Sequence, residues 1–163
     1  MTPHPNLLRV NQLPCDAFER ALLPVLRHHL NDYADPRLAS GHRAFVVAVE
    51  RWGEPIGLSV AFHLQKLVRA ILQCRPEGLE FHDPLCLDSK EAVTDDERLL
   101  IDMLHHMRRD QTARARDRVY QITDGRMDPD VIRTGLQFAQ RFACGVSGEM
   151  RPRAAKPILK VVR

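Results

Sequence analysis

Four side chains near the middle of the chain carry donor atoms suited to zinc: His63, Cys74, His82 and Cys86. Zinc takes four borderline-soft ligands at the corners of a tetrahedron. No two of the chain's four cysteines form a Cys-x-x-Cys pair, so the spacing is wider than a compact zinc knuckle uses. Pro84 stands between His82 and Cys86. Cys74 also falls on an apolar helical stripe, where a free thiol packs as a small hydrophobe. The expectation is a chain without a cofactor, with zinc at these four residues as the exception to test. Within the set, Cys86 beside His82 is the best nucleophile or sensor thiol, because a neighbouring imidazolium favours the thiolate.

Carboxylates and imidazoles also recur three or four residues apart: Asp102 with His105 and His106, and His28 and His29 with Asp32. A di-iron bundle needs Glu-x-x-His on two helices and glutamates on two more. No Glu-x-x-His occurs in this chain. Adjacent histidines point about 100° apart on a helix, so only one of each pair faces inward. Met103, Met107 and His106 overlap on one face and could ligate haem, but methionines at helical spacing ordinarily fill cores. The chain holds no Cys-x-x-Cys-His, no glycine-rich phosphate loop, no Gly-x-Ser-x-Gly and no His-Glu-x-x-His, so no known catalytic signature points to an enzyme.

The strongest chemical asymmetry is charge. The chain carries 24 Lys and Arg against 21 Asp and Glu, a net charge of +3, and the balance is uneven along it. From Phe81 to Glu97 six acids face one base, Lys90. Arg108, Arg109, Arg114, Arg116 and Arg118 follow, and Arg151, Arg153, Lys156, Lys160 and Arg163 lie near the C-terminus. Arginine contacts phosphate well, so both basic groups are candidate nucleic-acid or acidic-partner surfaces. A helix-turn-helix fits poorly over Ala113 to Leu136, because Asp124 and Arg126 occupy positions that should pack inward. The basic stretch could also dock on the acidic one, within the chain or in a second copy. Local sign asymmetry of this kind marks surfaces that prefer charged partners.

The elements that must position these groups read as helices. Residues 1–14 hold Pro3, Pro5 and Pro14 and no helical period, which predicts an extended arm. Asp16 can cap a first helix carrying Phe18, Ala21, Leu22, Val25, Leu26, Leu30 and Tyr33, with a kink or restart at Pro24. Leu38, His42, Phe45, Val49 and Trp52 share a face of a second helix, ended by Gly53. A third runs from Leu58 to Cys74. A connection follows from Leu79 to Val93, long enough to be packed irregular structure or a functional loop. Thr94-Asp95-Asp96-Glu97 is a capping box. It opens a helix with Leu100, Met103, Leu104 and Met107 inward. A turn at Arg108 to Gln111, with Asp110 as cap, leads to a helix carrying Ala115, Val119 and Ile122. Asp128-Pro129 opens a last helix with Ile132, Leu136, Ala139 and Phe142 inward.

The sequence therefore predicts an all-α fold: a single-domain bundle of about six helices with a kinked first helix and a C-terminal helical hairpin plus helix. The bundle spans residues 15–148, between an arm at 1–14 and a basic tail at 149–163. A membrane-spanning helix needs about 20 apolar residues, and no apolar run comes near that length. MTPHPNLLRV has no basic start followed by an apolar stretch, so no secretory signal is read and free thiols in a reducing cytoplasm are expected. Composition and charge together predict a cytoplasmic, bacterial regulatory or adaptor protein that acts through protein–protein contacts or self-association. The alternatives are a nucleic-acid-binding regulator and a metal- or thiol-based sensor at Cys86 and His82.

Overall fold

A computed structural model describes residues 8–144. Six α-helices follow one another: α1 (Ala17–Ala34), α2 (Ser40–Trp52), α3 (Glu54–Cys74), α4 (Asp95–Met107), α5 (Thr112–Ile122) and α6 (Pro129–Arg141). Short 3-10 turns at Val10–Gln12 and Pro36–Leu38 precede α1 and α2. There is no strand among the described residues, only an isolated antiparallel bridge between Arg9 and Ala92. The expected all-α bundle is the fold. Among the described residues no helix is long and apolar enough to cross a membrane.

The helices share one interior. Leu22, Leu26, Leu64, Leu67, Ile71, Leu100, Met103, Leu104, Ile122 and Phe138 are all fully buried in it. The cap signals act as the sequence implies. Asp16 accepts from the Glu19 amide, Thr94 from the Glu97 amide, and Asp128 from the amides of Asp130 and Val131. Each satisfies amide hydrogens that the first helical turn leaves without partners. α1 runs unbroken through Pro24, which stands inside the helix rather than restarting it.

Three local expectations are corrected. Helix α2 does not bury Leu38, His42, Phe45, Val49 and Trp52 as one core face. Its buried residues are Ser40, Gly41, Ala44 and Ala48, and Leu38 is 48% exposed. This small-residue face lets α2 and α3 approach so closely that a Cβ on Gly57 would lie 2.5 Å from the Ala48 carbonyl oxygen. On α6 the buried set is Val131, Thr134, Gly135, Phe138 and Ala139, with Leu136 turned outward. Asp110 does not cap α5. It takes a left-handed backbone (φ 54°) in the hairpin turn, and Gln111 holds the cap position without a side-chain bond.

Polar groups inside the bundle fix how helices meet. His29 of α1 donates from Nε2 to the Ala61 carbonyl of α3 at 2.9 Å. His28 meets the Ser40 hydroxyl at 2.8 Å, and Asp32 accepts from the Gly41 amide, so α1 holds the start of α2. Burial pushes the His29 imidazole down to about 4, so the ring is neutral in the fold at neutral pH.

Candidate functional site

Two buried glutamates organise the chemistry of this molecule, Glu19 clasped by two arginines and Glu97 by one, all from distant parts of the chain. Glu19, on the first turn of α1, is fully buried. Arg108 and Arg109, at the end of α4, both donate to its Oε1, the second at 2.6 Å. Both also reach Asp16 Oδ2, at 2.9 and 3.0 Å. Arg108 further donates to the Phe142 carbonyl and lies 4.6 Å above the Phe18 ring. Burial alone would push the Glu19 carboxyl up. Hydrogen bonds from Arg109, His105 and the Asp16 amide outweigh it, so the net position is below the usual carboxylate range.

That carboxylate also holds a histidine in place. His105 Nδ1 lies 2.8 Å from Glu19 Oε2. An ionised carboxylate only accepts, so Nδ1 carries a proton and donates it to Glu19. Nε2 has no partner among the described residues and is open to solvent. His105 lines a pocket of about 340 Å³ together with Pro14, Asp102, His106, Arg114, Asp117 and Arg118. Arg118 binds Asp102 through Nε at 2.6 Å. His106 is occupied by Gln111, at 2.6 Å from Nδ1.

The second clasp fastens the long connection. Arg27 of α1 donates to both oxygens of Glu97, at 2.7 and 3.0 Å, and to the carbonyls of Lys90 and Ala92. Glu97 also accepts from the amides of Thr94 and His82. Asp96 accepts from the Glu80 amide and pairs with Arg75 at 3.0 Å. The Thr94 hydroxyl donates to the Glu80 carbonyl. On the far side the N-terminal arm pairs with the connection: the Val10 amide donates to Glu91 and the Val93 amide to Leu8. The connection is thus tied at both ends, and its middle projects Leu85 and Leu87 outward, 53% and 79% exposed. Asp83, Asp88 and Glu91, all exposed, stand near them in the chain.

The charge clusters of the sequence therefore divide into interior staples and true surface. Of the acids from Phe81 to Glu97, Asp96 and Glu97 point inward, while Asp83, Asp88, Glu91 and Asp95 are exposed. Of the hairpin arginines, Arg108, Arg109 and Arg118 are held by carboxylates. Arg114 and Arg116 are exposed and have no ion-pair partner among the described residues. Arg151, Arg153, Lys156, Lys160 and Arg163 lie outside the described residues.

The residues proposed for zinc do not converge. No three His, Cys, Asp or Glu side chains come together as a metal site among the described residues. His63 and Cys74 stand eleven residues apart on α3, about 16 Å along the axis. His63 bonds the Ser59 carbonyl and packs edge-on against Phe62 and Phe142. Cys74 donates to the Ile71 carbonyl. His82 has a buried Nε2 without a partner among the described residues. The Cys86 thiol is bonded by Ser89, whose side chain and amide, with the Asp88 amide, hold it below the usual thiol range. Cys15 is opposite in character: burial, then Glu19, pushes its thiol up to about 11.

Sequence reading missed the Glu19 clasp because its partners lie about 90 residues apart. One signal was present: Asp16-x-x-Glu19 is a capping box, and such a glutamate sits at a fixed place on the first turn. The chain matches no protein-family model, no curated protein and no solved structure.

Proposed function

We propose that the protein is a regulatory or adaptor module, without an enzymatic role, that works in the cytoplasm of a bacterial cell by protein–protein contact. The contact element is the connection from Leu79 to Val93. One observation carries this reading: Leu87 is 79% exposed on a segment whose two ends are fastened to buried ion pairs and to the N-terminal arm. Leu85 and Leu87 stand two residues apart and offer an apolar contact, and a preordered segment loses less entropy on binding than a loose one. The nearby Asp83, Asp88 and Glu91 specify a partner with an apolar pocket rimmed by basic groups. A second copy of the chain is the homo-oligomeric version of the same contact.

The test is the double variant Leu85→Ser, Leu87→Ser, used as bait beside the natural chain. Burying one leucine contributes about 1.5–3 kcal/mol, so recovery of the partner should fall by ten- to a hundredfold or more. Circular dichroism should stay unchanged, because both residues are exposed. Equal recovery by the two baits contradicts the reading.

A second reading, nucleic-acid binding, draws support from Arg114 and Arg116, which stand exposed and without an ion pair among the described residues. It predicts retention on duplex DNA that weakens steeply as salt rises, because each phosphate contact releases counterions.

A further inference from the structure

We propose that the acidic connection of one copy docks on the outer face of α3 of a second copy, so that the chain is its own partner. The inference deepens the contact reading above and rests on it: the connection remains the contact element, and the surface that receives it is new. Such a surface is apolar at its centre and basic at its edge, and α3 supplies one. Pro55, Leu58, Phe62, Lys66 and Arg69 recur at intervals of three and four residues, which places them in one stripe of the helix. All five are exposed, while Val60, Leu64 and Leu67 on the opposite side are fully buried. Leu58 and Phe62 are 42% and 50% exposed and are neighbours on the stripe, so they form one apolar patch rather than two scattered residues. The Lys66 ammonium lies 5.6 Å from the centre of the Phe62 ring and donates to Gln137 of α6, which holds the cation at the edge of that patch. Neither Lys66 nor Arg69 has an ion-pair partner among the described residues.

The connection presents the complement. Leu85 and Leu87 project from it, with Asp83, Asp88 and Glu91 exposed nearby against one base, Lys90. Brought together, the two surfaces set leucine against leucine and phenylalanine, and acid against base. Two connections, or two α3 faces, would set like charges side by side, so the pairing is selective. The dimensions agree. Leu85 and Leu87 are two residues apart, so their Cα atoms are separated by at most about 7 Å. Leu58 and Phe62 are one turn apart, about 6 Å along the helix. Both surfaces stay open in the single chain, so the contact lies between copies. Because the two surfaces differ, each contact is head to tail: one copy gives its connection, the other its α3.

The experiment is sedimentation of the full chain at low salt, from about 10 μM to about 1 mM, a range that reads weak self-association. The mean mass of the natural chain should rise above that of the monomer with concentration. The rise should shrink in about 0.5 M salt, which screens the charges at the edge. Two double variants separate the surfaces: Leu85→Ser, Leu87→Ser disables the connection, and Phe62→Ser, Arg69→Glu disables α3. All four side chains are exposed, so circular dichroism should match the natural chain. Each variant alone should associate at least about tenfold more weakly. Their equimolar mixture should recover a dimer, because one copy keeps its α3 face and the other its connection. A natural chain that stays monomeric at about 1 mM, a mixture that stays monomeric, or undiminished association of Phe62→Ser, Arg69→Glu overturns the proposal. The two readings fail separately. A monomeric natural chain whose recovery of another protein still depends on Leu85 and Leu87 removes only this inference. Association that survives Leu85→Ser, Leu87→Ser removes the connection as contact element as well.

Discussion

Arg27 shows how one side chain can close several accounts at once. It neutralises Glu97 and satisfies two carbonyls of the connection. Removing one partner of a buried pair costs far more than the pair contributes, because the remaining charge has no solvent. Arg27→Ala should therefore lower stability by about 3–5 kcal/mol in urea unfolding. It should also free residues 79–93 to exchange their amide hydrogens. A loss below about 1 kcal/mol would mean that Glu97 finds water or another cation. The cysteines give a second prediction at this scale. Ser89 favours the Cys86 thiolate, whereas burial and Glu19 oppose that of Cys15. Iodoacetamide at neutral pH should label Cys86 well before Cys15, read by peptide mass spectrometry, and the reverse order contradicts these environments. The Thr94 capping box and the Asp16 and Asp128 caps were legible in sequence because each acts over three residues. The clasps on Glu19 and Glu97 were not, because the same charges read equally well as surface patches.

At the scale of elements, α2 and α6 show why periodicity finds a helix but misplaces its inward face. Apolar size predicts Leu38 and Leu136 inward, yet both are exposed. The bundle instead buries Ala44, Ala48, Gly57 and Gly135, because small residues let helix axes come close. Gly57→Ala tests this directly. Replacing glycine within a helix normally adds up to about 1 kcal/mol of stability. Here the new Cβ would meet backbone of α2 at 2.5 to 2.6 Å, which no rotamer change relieves. The strain of overpacking, about 1–3 kcal/mol, should win, and the variant should unfold at lower urea. A more stable variant would show that α2 and α3 are not so close.

For the whole molecule, acid sensitivity follows from what the interior holds. The folded His29 imidazole stands near 4, while in the unfolded chain it titrates near 6.5. The unfolded state therefore binds more protons between these values, and stability rises with pH across that window. The contribution is complete above about 6.5 and is lost as pH falls through about 4, on the order of 3 kcal/mol in total. His28 shifts the same way, through burial first and then Arg43. Asp16 and Glu19 extend the loss at lower pH, because their carboxyls are held down in the fold. Urea midpoints should drop between about pH 6.5 and 4.5, and His29→Gln, which can still donate to Ala61, should flatten that part of the profile. A midpoint that stays level over this range contradicts a neutral, buried His29.

The same interior turns much of the sequence's charge inward and leaves an acidic, leucine-tipped segment on the outside. The most direct test of that segment's role is a photo-crosslinking residue placed at Leu87, with one at Arg116 as comparison. We predict one discrete protein adduct from position 87, abolished by Leu85→Ser, and none from position 116. Adducts from position 116 alone, or adducts from 87 that survive Leu85→Ser, would contradict it.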